Sequence, residues 1–422
     1  MTGLPVIAYL GMTHLGLCSA VAAASRGFST VAFDRDVDLV RRLDAGTLPV
    51  VEPGLDDLLR VNRARVSFTA DTAALRACDV LYVAPDVPTD DHGQSDCSVL
   101  NDLVELAVGT ARPDATIVVL SQVAPGYTRA RQASGRSVYY QVETLVFGRG
   151  VERATLPERF MVGCPDPARP LPAALDAYLR AFDCPILPMR LESAELAKIS
   201  INCCLVASIT VTNTLAGVCE RVGADWSEIA PALKFDKRIG HGAYLSPGLG
   251  IGGGNLERDL ATVIRLSESH GTEANVIRAF AGNSAHRRSW VLRTLHTMLL
   301  ADRPDARIGV LGLAYKENTH SVKNSPSVAL IHHLGPWMVQ AYDPVVQSVD
   351  GLDEVKHAES ALDAARGVDA LAIMTPWAEF RTLNAAALAA AMRGRVVLDP
   401  FRVLDGRAAQ AAGLQYRTLG VN

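Results

Sequence analysis

Val6-Ile-Ala-Tyr-Leu10-Gly11-Met-Thr13-His14-Leu-Gly16 begins as a short apolar run and ends in a glycine turn, and its reading decides the fold. An apolar, alanine-rich stretch follows, and a second run, Thr30–Phe33, leads into Asp34-Arg35. Strand, turn, helix, strand and then an acid is the order of the dinucleotide-binding fingerprint G-x-G-x-x-G, whose acid lies about 20 residues on. Gly11 supplies the tight turn and Gly16 lets the helix pack close to the strand. The middle glycine, where the backbone approaches a pyrophosphate, is replaced by Thr13. Asp34 would hold the ribose hydroxyls. With Arg35 beside it, it favours NAD over NADP, because a carboxylate repels a 2′-phosphate. The competing reading is an ordinary strand–turn–helix unit that binds nothing.

The alternation continues from Leu4 to about Pro188, with further runs at Val80–Ala84 and Thr116–Leu120. Strand-length runs separated by helical stretches predict right-handed crossovers and a parallel sheet covered on both faces. From about Leu191 the strand runs stop. Leu196, Ile199, Ile201, Leu205, Val206, Ile209, Val211, Leu215 and Val218 recur at near-helical spacing. They predict one long helix, apolar on most faces and therefore buried, with a subunit interface as its expected setting. A glycine-rich loop, Gly248 to Gly254, precedes a second helical stretch. Strand runs return at Ile308–Leu311, Val339–Tyr342, Ala370–Met374 and Val396–Leu398. The expected class is α/β in three regions. Residues 1–190 form an N-terminal Rossmann-like parallel sheet, 191–300 a central long-helix dimerisation region, and 301–422 a C-terminal Rossmann-like α/β domain.

At 422 residues the chain exceeds what one hydrophobic core holds. A net charge of −4, with no basic run interleaved with aromatics, argues against a nucleic-acid partner. The eight cysteines contain no C-x-x-C pair, which suits reduced thiols in a cytoplasmic protein. The first apolar run is only strand-length, and later ones are broken by charges, so neither a signal peptide nor a membrane partner is expected. His14, His241 and His320 have no metal-ligand spacing among them, and no metal site is expected.

Further segments carry a resemblance. Gly46, Pro49 and Val50-Val-Glu52-Pro53-Gly54-Leu55 match N-x-G-x-x-P-x-x-E-P-G-L; Ser121-Gln-Val-Ala-Pro125-Gly126 matches S-T-V-P-P-G. Glu195-Leu-Ala-Lys198-Ile-Ser-Ile-Asn202 is similar to E-x-x-K-x-x-x-N. Arg238-Ile-Gly240, Tyr244 and Gly250-Ile-Gly-Gly-Gly-Asn-Leu-Glu-Arg-Asp259 are similar to R-I-G…Y…G-x-G-G-x-C-x-P-K-D. Gly312-Leu-Ala-Tyr-Lys316-Glu-Asn318-Thr319, then Ser325-Pro326, resemble G-L-A-F-K-x-N-T-D-D-x-R-x-S-P. Six collinear segments identify a resemblance to the UDP-glucose/GDP-mannose dehydrogenase family. The resemblance implies oxidation of a UDP- or GDP-linked sugar by two NAD. A cysteine thiolate traps the intermediate aldehyde and forms a thioester that water cleaves.

In this register the catalytic cysteine is Asn255, and no cysteine follows Cys219. An amide cannot form a thioester, so the second oxidation as the family performs it is expected to be lost. An alternative for Asn255 is that it caps the following helix. Other changes accompany it. The family's Thr is Gln122, T-P is Val87-Pro88, and N-P-E-F-L-R-E keeps Glu143 but has Phe147 for its second glutamate. The lysine before the aspartate is Arg258, and T-D-D-x-R becomes Thr319-His320-Ser321-Val-Lys323.

The resemblance implies that Lys198, Asn202 and Asp259 bind the reacting oxygen and a water, with Glu143 and Asn255 beside them. Lys198 stands among apolar residues, where desolvation favours the neutral amine that a base requires; its alternative is an ordinary salt-bridged lysine. Gly11, Thr13, Gly16, Asp34, Arg35, Val87, Gln122, Arg258 and Lys323 fall at cofactor positions. Arg238, Tyr244, Gly252 and Lys316 fall at substrate positions, and Arg238 is the family residue that reaches a neighbouring subunit, which implies a homodimer. The retained set without a thiol implies one two-electron step. A secondary exocyclic alcohol going to a ketone needs no covalent trap, and chain-extended sugars of antibiotic pathways, such as the lincosamide octose route, carry one. The alternatives are an inactive sugar-nucleotide-binding homologue and an epimerase that holds NAD tightly.

Overall fold

The computed structural model describes residues 3–90, 93–132, 136–335 and 338–421. The chain forms two compact units, one up to residue 201 and one from residue 202 onward.

In the first unit eight strands form one sheet: β1 (Ile7–Leu10), β2 (Thr30–Phe33), β3 (Val66–Thr69), β4 (Val80–Val83), β5 (Thr116–Val119), β6 (Val138–Gln141), β7 (Phe160–Cys164) and β8 (Ile186–Arg190). Their order is β3-β2-β1-β4-β5-β6-β7-β8. β1 lies at the centre, with Ile7 opposite both Thr30 and Val80. The period-2 alternation of a strand divides β1 between two cores: Ile7 and Tyr9 face one, Ala8 and Leu10 the other. A sheet buried on both faces has apolar runs rather than apolar–polar alternation, as these strands do. Three tyrosines bring hydroxyls into this core and pair them. Tyr9 and Tyr82 stack at 5.0 Å, the Tyr9 and Tyr178 hydroxyls are 2.7 Å apart, and Tyr82 donates to Gln141 Oε1 at 2.7 Å.

The sheet departs from the expected all-parallel form at one place. β6 and β7 pair antiparallel, and β8 then runs parallel to β7. The connection from β6 to β7 carries only the short helix Gly150–Thr155, too little to cross over and return in the same direction.

The long helix spans Leu191–Val222. Its length and composition would suffice to cross a membrane, yet its first turns carry Glu192, Glu195 and Lys198, each bonded to another part of the first unit. The expectation that the helix is buried is not met within one chain. Leu196, Val211, Leu215, Val218 and Val222 are all exposed.

In the second unit a helical segment precedes six strands: β9 (Arg307–Leu311), β10 (Met338–Tyr342), β11 (Lys356–His357), β12 (Ala370–Ile373), β13 (Val396–Leu398) and β14 (Gln415–Arg417). They pair in the order β11-β10-β9-β12-β13-β14, all parallel. The chain's end joins the helical segment to this sheet. Arg402 pairs with Asp225 at 2.7 Å, Trp226 N donates to Gly420 O at 2.8 Å, and Gly420 N donates to Glu220 Oε1 at 3.0 Å.

Candidate active site

In the first unit the glycine turn is built as its sequence demands. Gly11 has φ +95°, and a Cβ there would stand 2.9 Å from Pro85 N. A Cβ on Gly16 would come within 1.9 Å of Gly11 O, so strand and helix touch at backbone distance. Asp34, at the end of β2, receives Met12 N at 2.7 Å and Asp36 N at 3.0 Å, which places its carboxylate beside the turn. Arg35 is exposed and reaches Asp102 at 3.4 Å. Thr13 precedes the helix His14–Ser25 without a side-chain bond into it; its hydroxyl instead accepts from Asp86 N at 2.7 Å.

Behind the turn lies a buried histidine–glutamate contact that sequence reasoning missed. His14 Nε2 is 2.8 Å from Glu52 Oε2, and both side chains are buried. Glu52 also accepts from Gly148 N at 3.0 Å and Gly150 N at 2.7 Å, so the E-P-G-L segment is pinned to the loop after β6. Phe147, which stands for the family's second glutamate, stacks on His14 at 4.4 Å.

Lys198 Nζ lies 2.7 Å from Glu143 Oε1, both side chains largely enclosed. Glu143 Oε2 accepts Leu145 N at 3.0 Å, which fixes the acceptor side of the pair. The salt-bridged reading of Lys198 and the active-site reading therefore meet in one contact. Three residues earlier, Glu195 is fully buried and accepts Gly126 N at 2.6 Å and Thr128 N at 2.8 Å. It thereby clamps the Ser121–Gly126 loop, and its carboxyl is held above the ordinary range by burial, against the pull of those bonds. Gln122 sits half-buried in that loop and Val87 half-buried in the loop after β4.

In the second unit Asn202 donates its amide to Asp259 Oδ2, and both are buried. Arg258, also buried, places Nε 3.2 Å from Asp259 Oδ1. Asp259 thus serves two buried donors. The same carboxylate, after burial itself, pushes the neighbouring Cys203 thiol up to about 11, so that it is not a thiolate near neutral pH.

Asn255 is exposed and is the first residue of the helix Asn255–His270. It does not cap that helix. The cap position belongs to Gly254, at φ +88°, with no side-chain bond. Gly253 and Gly254 both have positive φ, so the chain turns abruptly and the helix begins one residue earlier than a cap at Asn255 would place it. The turn is also a close approach, because a Cβ on Gly253 would stand 2.6 Å from the Tyr315 ring. Gly252 is held between Tyr315 and Asn324 O, and Lys323 Cγ would lie 3.4 Å from a Cβ on Gly254. Lys316 Nζ lies 5.7 Å from the centre of the Tyr315 ring. Glu257 braces the loop by pairing with Arg288 and Asn324. Arg238 is almost wholly exposed and pairs with Asp236 at 2.6 Å; Tyr244 is exposed too. The structure therefore brings Lys198 to Glu143 and, separately, Asn202 and Arg258 to Asp259. It places Asn255, Gly252 and Lys323 around one loop and leaves Arg238 and Tyr244 on the surface of this chain.

Two largely parallel sheets, the first opening on a glycine turn with an acid at the end of β2, define a Rossmann-type dinucleotide-binding protein. The comparisons with known proteins are narrower. Residues 6–164 match the NAD binding domain of the UDP-glucose/GDP-mannose dehydrogenase family, 192–283 its central domain and 309–406 its UDP binding domain. The chain is 30% identical to UDP-glucose 6-dehydrogenase AglM of Haloferax volcanii, over 98% of this chain and 99% of the relative. It is 29% identical to UDP-glucose 6-dehydrogenase TuaD of Bacillus subtilis, over 98% and 93%. The solved structure of a UDP-glucose dehydrogenase from Pyrobaculum islandicum superposes with a TM-score of 0.88 at 28% identity, covering 100% of this chain and 99% of that one. The chain belongs to the UDP-glucose/GDP-mannose dehydrogenase family, a family of nucleotide-sugar oxidoreductases, and its cofactor is NAD. The residues fit that cofactor. The turn at Gly11, the close approach at Gly16 and the Asp34 carboxylate are the features a dinucleotide requires.

Proposed function

We propose that this protein oxidises one secondary, exocyclic alcohol of a chain-extended UDP-sugar to a ketone, in a single two-electron step without a thioester. The observation that carries this reading is Asn255, which stands exposed at the family's cysteine position at the head of its helix. The chain has no cysteine after Cys219 to replace it. NAD, held at the Gly11 turn, at Gly16 and by the Asp34 carboxylate, would supply the hydride acceptor. The chain's own residues have the rest to do. Lys198, oriented by Glu143, takes the hydroxyl proton, and Asn202 and Asp259 hold the oxygen and its water. The step balances as alcohol plus NAD giving ketone, NADH and a proton. A ketone cannot be oxidised further without breaking a carbon–carbon bond, so a thiol trap would have nothing to do. The UDP-binding domain match and the UDP-glucose dehydrogenase relatives support UDP as the carrier.

The product distinguishes this reading from the family reaction. Mass spectrometry of the product from a UDP-linked, chain-extended sugar should show the loss of two hydrogens and capture by hydroxylamine. A carboxylic acid product would sink the proposal.

The apolar side of the long helix supports a homodimer, because an isolated chain would leave Val211, Leu215, Val218 and Val222 in water. Light scattering should give twice the 45.0 kDa chain mass. A monomer at micromolar concentration would contradict the assignment. The eight cysteines, none of them in a disulfide among the described residues, support a cytoplasmic setting.

A further inference from the structure

The helix His14–Ser25 directs its first amides toward the turn where a Rossmann unit receives a pyrophosphate. In this chain one of those amides already has an anion. His14 N donates to Asp86 Oδ2 at 3.0 Å. Asp86 follows Pro85 in the loop after β4, and its own amide donates to the Thr13 hydroxyl at 2.7 Å. Thr13 stands where the fingerprint has its middle glycine, the position that lets backbone approach the pyrophosphate most closely. The substitution at residue 13 and the acid at residue 86 thus interlock at one spot. Asp86 is exposed as a whole residue, while its carboxylate is turned inward onto His14 N.

We propose that Asp86 is an internal competitor for the cofactor's pyrophosphate. Its carboxylate occupies the helix N-terminus in the free protein and must leave it, or take up a proton, before NAD is held. This rests on the cofactor assignment above and adds to it a residue that sets how tightly NAD binds.

The charges around Asp86 give the sign of the effect. Protein around its carboxylate disfavours the charged form and raises its pKa. His14 on the first helix and the Thr13 hydroxyl oppose that, and Glu143 in the loop after β6 adds to it. Cys18, one turn along the helix, and Glu52, paired with His14, complete the surroundings; Glu143 is itself paired with Lys198. A bound pyrophosphate brings further negative charge and raises the Asp86 pKa again. Binding therefore takes up a proton. NAD affinity is greatest below the pKa of Asp86 in the free protein, and it falls as pH rises from there to the higher pKa of the complex.

The test is calorimetric titration of NAD into the full-length protein, Asp86→Asn and Asp86→Gly, across pH and in buffers of different ionisation enthalpy. A neighbouring like charge shifts a carboxyl by one to three pKa units, so both variants should bind NAD about tenfold tighter or more at pH 8. The wild-type protein should take up protons on binding and lose up to about tenfold in affinity per pH unit over that window; the variants should do neither. The wild-type pH profile alone tests the idea should a variant fail to fold. Equal affinities with proton uptake retained in Asp86→Asn would assign the titration to another group and overturn the role of Asp86. Absence of NAD binding in all three proteins at every pH would overturn the cofactor reading itself.

Discussion

Lys198→Met should lower the single-turnover rate of alcohol oxidation by about 10²- to 10⁴-fold, the usual loss when a positioned proton acceptor is removed. The expectation follows from the contact Lys198 makes. Its Nζ is 2.7 Å from Glu143, whose other oxygen is fixed by Leu145 N. The lysine is therefore held in one place and largely enclosed, as a group must be if it is to meet a hydroxyl at hydrogen-bond distance. Lys198→Arg separates two roles that Met alone would confuse. A guanidinium keeps the positive charge but cannot take up a proton near neutral pH. If Lys198 works as a base, Arg should be nearly as damaging as Met. A near-normal rate with Arg would mean that the positive charge suffices and that the proton goes elsewhere. NAD affinity measured in parallel should change little, since the long helix supplies none of the contacts at the glycine turn.

Asp259→Ala should destabilise the second unit by about 3–5 kcal/mol, read as a lower urea midpoint with an unchanged slope. The residue is buried, as are the Asn202 amide and the Arg258 guanidinium that donate to it. Removing the carboxylate takes from a buried arginine the charge it pairs with. Breaking such a pair costs far more than an exposed ion pair, whose median worth is about 0–1 kcal/mol. Asp259→Asn keeps shape and one acceptor oxygen, and should cost less than Ala. A loss below about 1 kcal/mol for Ala would show that Asp259 is not structurally required, leaving a purely chemical role.

Much of this was readable in the residues. Thr30–Phe33 and Val396–Leu398 are strands with the expected bounds, because a buried parallel strand is an uninterrupted apolar run between turn residues. The reversal of β7 was not readable. Phe160–Cys164 is as apolar and as buried as any parallel strand, and its direction depends on the path of the chain before it rather than on its own composition. The four-residue spacing of Lys198 and Asn202 on one helix was a local pattern and could be read. Their partners, 55 and 57 residues away, could be placed only through family segments. Asp86 and the His14–Glu52 pair left no periodic signal. Each is a single residue in a loop, given its meaning by a contact 72 or 38 residues distant. The one clue was negative: a fingerprint whose middle glycine is Thr13 calls for a neighbour that explains the change. The Asn255 cap failed for a different reason. Asparagine is a good cap in general, but two glycines with positive φ before it let the helix start without one.

The central claim is that this chain completes one oxidation and stops. An end-point assay with excess NAD and a limiting, known amount of a chain-extended UDP-sugar counts NADH per sugar consumed. One equivalent, unchanged by longer incubation or more enzyme, is the predicted result. Two equivalents would mean that an oxidation beyond the ketone proceeds without the cysteine, and the account built on Asn255 would be wrong.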